Sequence, residues 1–386
     1  MRLLTASLAA LATQANADAP NVVVDIAPLH SLVAQIMQGV GDPALLLPPG
    51  VSPHDYALRP SDARALSDAD VVIWMGPGLT PQLAEPIETL ATGATVITIL
   101  DLPGWTTLPF REDARFDDGH DHGDEDEHAH EDHDEHEDHD NHEDHDDGDH
   151  EDHDHDEHAE EDHDEHGHDD HDNHADEDHA DEDHADHGHD DEDHADHGHD
   201  DHADHAHGPV DPHAWLNTVN AIRWITDVGG TLADLSPEHA DQIIENVLTT
   251  RGALNAISVE VGTDLMFVRS DLQDGSIGYI VPHDSLQYFE TAYLVPASGA
   301  ISLTDMSPPG PAHLRDLQEM IAENNITCIL TDPHSNPATV DLLTEGTDTR
   351  TAQIDPAGTL LEPGPELYGD LMRGVSTALA ECLSQE

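Results

Sequence analysis

The sequence predicts an α/β protein made of two lobes with parallel sheets, joined by one long helix. Three observations lead there. Short apolar runs alternate with helical patterns from Asn21 to Leu100. A single helical pattern of more than twenty residues opens at Ser236-Pro237-Glu238. The alternation then restarts near Tyr279 and continues to the C-terminus. Strand–helix–strand alternation with short links implies parallel strands covered by their crossover helices.

Element by element, "NVVVDIAP" is a β-branched run ended by Pro28, and "LHSLVAQIMQGVG" has helical apolar spacing closed by glycine. "ALLLPPG" reads as a strand, "RPSDARALSDA" as a helix with Ser61 at its N-cap, and "DVVIWMGPG" as a strand. "TPQLAEPIETLA" and "TVITIL" follow as helix and strand. Beyond residue 207, "DPHAWLNTVNAIRWITDVGGTLADL" is mostly helical, and the long helix comes next. The second lobe reads as "YIVPHDSLQYFETAY", "LVPASGAIS", "PAHLRDLQEMIAENN", "ITCILTDP", "NPATVDLLTEG", "RTAQIDPAG" and a closing helix.

Between the lobes' elements lies a run with no globular pattern. Asp117–His207 holds 47 of the 85 acidic residues, 28 of the 35 histidines and no arginine; "DEDHADHGHD" occurs twice in tandem. Without that run, 38 acids still face 11 arginines, and the chain has no lysine at all. Acidity throughout argues against nucleic acid as a partner, and an aromatic content of 3% offers little for stacking bases.

The N-terminus, "MRLLTASLAALATQANADAP", places one Arg before an apolar run and then Ala15-Asn16-Ala17, a small-x-small cleavage pattern. It reads as a secretory signal peptide over residues 1–17, too short to span a bilayer, which predicts export to the periplasm. Export makes Cys328 and Cys382 candidates for a disulfide pinning the last helix to a core strand, worth on the order of 3–4 kcal/mol. A two-cysteine metal site is the weaker alternative, since neither has a CxxC partner.

Seven histidines lie outside the run. His54, His213 and His283 share one setting: each follows a proline at the end of a strand or loop and precedes helix. Asp55 and Asp284 come directly after two of them and are placed to accept from a ring nitrogen, fixing its tautomer. Three neutral imidazoles converging in a cleft make a zinc site, completed by a carboxylate or water. His239 and His313 read as surface residues, and His30 as structural.

"LLLPPGVSPHDYALRPSDARALSDADVVIWMGPG", "DPHAWLN", "HDSLQYF", "IDPAG" and the cysteine pair together resemble the high-affinity zinc-binding proteins of bacterial ABC importers (the ZnuA type, in the cluster A-I or cluster 9 group). The resemblance covers the mature chain. It implies two Rossmann-like lobes bridged by a rigid backbone helix, with metal held between them. Its metal histidines map onto His54, His213 and His283, and its carboxylate near the fourth position onto Asp355. Manganese-binding relatives place Glu where this chain has His283, which favours zinc over manganese or iron. Two departures stand out. Pro53 occupies a position where some zinc members carry Glu, and His334 stands where the family usually has Gln. His334 is either an additional ligand or a polar wall, with the wall preferred, and the fourth ligand is Asp355, His334 or water.

The expected segments are therefore 1–17 signal peptide, 18–116 first lobe, 117–207 His/Asp/Glu-rich loop, 208–235 first lobe continued, 236–264 linking helix and 265–386 second lobe. The loop has too little apolar content to fold and is expected to be disordered. His179, His184, His187, His189, His194, His197 and His199 exemplify its Asp–His elements, which read as weak auxiliary zinc sites beside one tight site. The resulting expectation is a monomeric periplasmic zinc-capture protein serving an ABC permease. The rival from another class is a zinc hydrolase, which three histidines and a water would fit. No HExxH or GxSxG accompanies the candidate ligands.

Overall fold

A computed structural model describes residues 19–111, 113–116, 210–303 and 308–384. The expected signal peptide and the Asp/His-rich run lie outside the described residues.

The first sheet holds β1 (Val22–Val24), β2 (Ala44–Leu45), β3 (Val71–Trp74) and β4 (Thr95–Thr98), all parallel, in the order β2-β1-β3-β4. Helices α1 (Ala27–Ile36), α2 (Pro60–Ser67) and α3 (Ala84–Leu90) make the crossovers. β1 and β3 are buried along their whole length, as strands covered on both faces must be. The strand expected in "ALLLPPG" is regular only at the two residues of β2; Leu46 and Leu47 still donate to the Val24 and Asp25 carbonyls, and the ladder stops at Pro48 and Pro49, which have no amide to give.

After α4 (Thr218–Leu235) comes the long helix α5 (Ala240–Asp264), followed by α6 (Met266–Gln273). The long helix opens later than its Ser-Pro-Glu signal. His239 takes the cap position, while Ser236 closes α4 and donates to Glu238. The second sheet holds β5 (Gly278–His283), β6 (Gly299–Ser302), β7 (Ile326–Thr331) and β8 (Arg350–Gln353), with α7 (Gln287–Tyr293), α8 (Pro311–Glu323), α9 (Pro337–Thr344) and α10 (Leu367–Leu383). It too is parallel, in the order β6-β5-β7-β8. The two sheets thus share one winding. In each, the direction of travel reverses between the first and third strands, the place where α/β sheets hold ligands at their carboxyl ends.

One element ties both sheets together. α10 packs against α1 and α5 as well as β7 and β8. Cys382 on α10 is joined to Cys328 on β7, with Cα atoms 5.8 Å apart, the disulfide expected from the sequence. Ser31 on α1 donates to the Pro365 carbonyl and accepts from the Tyr368 amide. The Tyr368 hydroxyl reaches the Trp215 carbonyl at 2.8 Å. Trp215, Trp224, Tyr288, Phe289 and Tyr368 are fully buried and fill the middle of this core. Among the described residues, no helix is long and apolar enough to cross a membrane.

Candidate metal centre

His54 sits in a short 3-10 turn, Pro53–Asp55, beyond the end of β2. Pro53 pre-sets the turn, the Ser52 hydroxyl accepts from the His54 amide, and Gln82 donates to the Pro53 carbonyl at 2.9 Å. The downstream residues of "HDYALRPSD" lock that turn in place. Asp62 accepts from the Tyr56 hydroxyl, the Arg59 guanidinium and the Arg59 amide, while Arg59 also donates to the Leu46 carbonyl behind β2. Burial pushes the Asp62 carboxyl up, but the donors from Arg59, Tyr56 and Ser61 outweigh it and hold the group down at about 2. Arg59, not Ser61, occupies the N-cap of α2. Ser61 is the second residue of the helix, its hydroxyl donating to Asp62.

His213 is held by the acid two residues before it. One oxygen of Asp211 accepts both the His213 amide, at 2.9 Å, and the ring Nδ1, at 2.8 Å. His213 is buried, and its Nε2 has no hydrogen-bond partner among the described residues. A buried polar nitrogen left bare is costly unless something outside the protein occupies it.

His283 ends β5, and Asp332 follows the end of the neighbouring strand β7. The ring Nδ1 of His283 lies 3.2 Å from Asp332 Oδ2, so this contact straddles the winding reversal of the second sheet. The ring partner is therefore Asp332 and not the adjacent Asp284. Asp284 is turned to Arg111 instead, at 2.8 Å, because successive residues past a strand face different directions.

These three mounts converge. The ring centroids of His54, His213 and His283 are 5.4–6.2 Å apart, and their candidate ligand atoms all lie within 4.8 Å of one another. The triad lines a cavity of about 20 Å³, room for one ion or one water. Nδ1 of His213 and of His283 each meets a carboxylate, the arrangement in which an acid orients a metal-binding imidazole, and for His213 this leaves Nε2 to face an ion.

Asp355, two residues past the end of β8, and His334 also line the cavity. Both Asp355 oxygens already accept hydrogen bonds: Oδ1 from the Thr359 amide and hydroxyl, Oδ2 from the Leu360 amide at 2.7 Å. Gly358, with φ of +66°, turns the chain so that those amides reach back. Asp355 does not join the histidines within the 4.8 Å grouping, although Oδ2, with a single donor, keeps a second lone pair. His334 is exposed, with its amide donating to Asp332.

Away from the centre, His30 is buried and bonded to the Pro43 carbonyl. His239 and His313 are half-buried rather than superficial, and His313 meets the Ala300 carbonyl at 3.1 Å. Sequence reading missed Asp211 and Asp332 as ring partners. A signal was present: each opens an Asp-Pro-His tripeptide.

With this geometry in view, the relatives are informative. A curated protein of Brucella suis biovar 1 called "High-affinity zinc uptake system protein ZnuA" is 38% identical over 364 residues, covering 94% of this chain and 92% of its own. A crystal structure of ZnuA shares the fold with a TM-score of 0.61 at 17% identity, covering 95% of this chain and all of its own. The manganese complex of the Pseudomonas aeruginosa protein FpvC shares it equally, with a TM-score of 0.61 at 13% identity over 94% of this chain and 98% of its own. The fold alone therefore does not choose the metal. Residues 22–382 match the profile described as "Zinc-uptake complex component A periplasmic", and the chain belongs to that family.

Proposed function

We infer that this chain is a periplasmic solute-binding protein that captures Zn²⁺ in the His54–His213–His283 centre and yields it to an ABC-type permease for import. One observation carries the reading: three imidazoles from separate segments converge within 4.8 Å, and His213 presents a buried Nε2 with no partner among the described residues. Three neutral nitrogens suit Zn²⁺ better than Mn²⁺, which prefers carboxylate and water oxygen. Asp355 supplies the fourth ligand in this reading. It lines the cavity, and the turn that holds it fixes its direction. His334 serves as wall, since it is exposed. The role is binding and release without catalysis.

Residues 1–17 direct export in this account, and the mature chain works as a monomer in contact with the permease. The lobes run over 18–116 with 208–235 and over 265–386, joined by the 236–264 segment whose helix is α5, with α10 crossing back onto the first lobe. The 117–207 run gathers zinc through many weak Asp–His elements and raises its concentration near the tight site. Two experiments test the reading. X-ray absorption at the zinc edge of the loaded mature protein is expected to show three imidazole nitrogens and one oxygen. A strain lacking the gene is expected to regain growth in chelated medium with the wild-type chain and not with His213→Ala. Growth restored equally by both would overturn the reading.

A further inference from the structure

Arg111 is the residue whose surroundings the zinc site leaves unexplained. Its guanidinium donates to Asp284 Oδ1 at 2.8 Å and to Glu290 Oε2 at 2.6 Å, and its carbon lies 3.8 Å from the centre of the Phe116 ring. Both acids are almost wholly buried, with side chains 5% and 2% exposed. Arg111 belongs to the segment that leaves the first lobe after β4 and runs along the second. Phe116 donates to the Ser298 carbonyl, and Ala300 to the Ala114 carbonyl. A side chain at Gly299 would strike that carbonyl at 2.7 Å, so only glycine lets the segment lie so close.

The same segment also carries the return leg that holds His213. The Asp211 amide donates to the Leu108 carbonyl, and Pro109 bridges Val210. The Tyr288 hydroxyl accepts from the Leu108 amide and donates to the Asp211 carbonyl. With its amide turned to satisfy its neighbours, Gln287 donates to the Pro109 carbonyl and to Asp211 Oδ2. One end of this block orients His213 through Asp211; the other grips Asp284, directly after His283.

We propose that Arg111 is a positioning residue for the metal centre: it staples the turn after His283 to the segment that carries Asp211 and His213, fixing the two histidines relative to each other. The inference rests on the zinc reading of the triad. Two buried carboxylates converge on one cation, so removing the cation alone leaves them facing each other uncompensated. The gentler cut is Asp284→Asn, which keeps the shape and the Arg111–Glu290 pair while weakening the link to His283.

The test measures Zn²⁺ affinity of the full mature chain by competition with a tight chelator, together with the absorption bands of bound Co²⁺. Asp284→Asn is expected to weaken Zn²⁺ about 10-fold, the low end of the range for partners of metal ligands, and to shift the Co²⁺ bands. Arg111→Lys keeps the charge but loses the two-pronged grip, and is expected to show a smaller loss of the same kind. A folded Asp284→Asn protein with affinity within twofold of wild type and unchanged Co²⁺ bands would overturn the proposal, even if its melting temperature fell. His213→Ala is the control. If it too leaves the tight site intact, the zinc reading has failed; if it alone abolishes binding, only the staple has.

Discussion

The chain contains Asp-Pro-His twice outside the acidic run, at residues 211–213 and 332–334, and the two copies do different work. Their backbones agree. In each, the aspartate Oδ1 accepts the histidine amide at 2.9 Å, an Asx turn that proline helps to pre-set. Their side chains do not agree. In the first copy the ring folds back onto its own aspartate and is buried. In the second the ring of His334 is exposed, and Asp332 turns its other oxygen to His283, 49 residues away in sequence. A tripeptide sets a turn, but the surrounding fold decides which imidazole the carboxylate serves.

That contrast can be broken most sharply at the rings. His213→Ala is expected to weaken tight zinc binding by more than about 100-fold, beyond the usual cost of losing an outer partner, whereas His334→Ala is expected to change it less than about threefold. Competition titration separates them, and equal losses would erase the distinction between ligand and wall. Next in size come the acids. Asp211→Asn and Asp332→Asn should each cost about 10- to 100-fold, because an amide orients a ring less firmly than a carboxylate. If Asp332→Asn proved silent while Asp211→Asn did not, the contact between Asp332 and His283 would be incidental.

Smaller effects lie in the scaffold and read out as stability against pH. Asp62 sits at about 2 in the fold, below its ordinary 3.8, so its contribution is present above pH 4 and lost as pH falls toward 2. Asp25, fully buried at the end of β1 with the Met75 and Ile26 amides as donors, has the opposite sign. Burial raises it from 3.8 to about 7 despite those donors, so stability falls as pH rises from 4 to 7. Denaturant melts across this range should lose their acid-side slope in Asp62→Asn and flatten between pH 4 and 7 in Asp25→Asn. A change of the same sign in both variants would contradict the assignment.

Much of this was legible in advance. β-branched runs such as "VVV" and "VVIW" announced parallel strands, and the Pro-His turns pointed at the three histidines now found together. The resemblance to zinc-binding proteins then supplied the set and its order. What stayed hidden depends on contacts far apart in sequence. No local pattern shows that Asp332 meets His283, that Asp284 turns to Arg111, or that α10 crosses to α1. Ser61 misled because its hydroxyl suits a cap, while the Pro60 ring fixed the helix start two residues earlier than expected.

In the proposed function the tight receptor is the His54–His213–His283 triad, with the 117–207 run an accessory that offers the same imidazole and carboxylate ligands. Zinc calorimetry against a competing chelator, on the mature chain and on a version lacking 117–207, tests it most directly. One tight site is expected to survive the deletion with affinity within about threefold, while the weak sites vanish and His54→Ala removes the tight one. Loss of the tight site together with the run would contradict the claim.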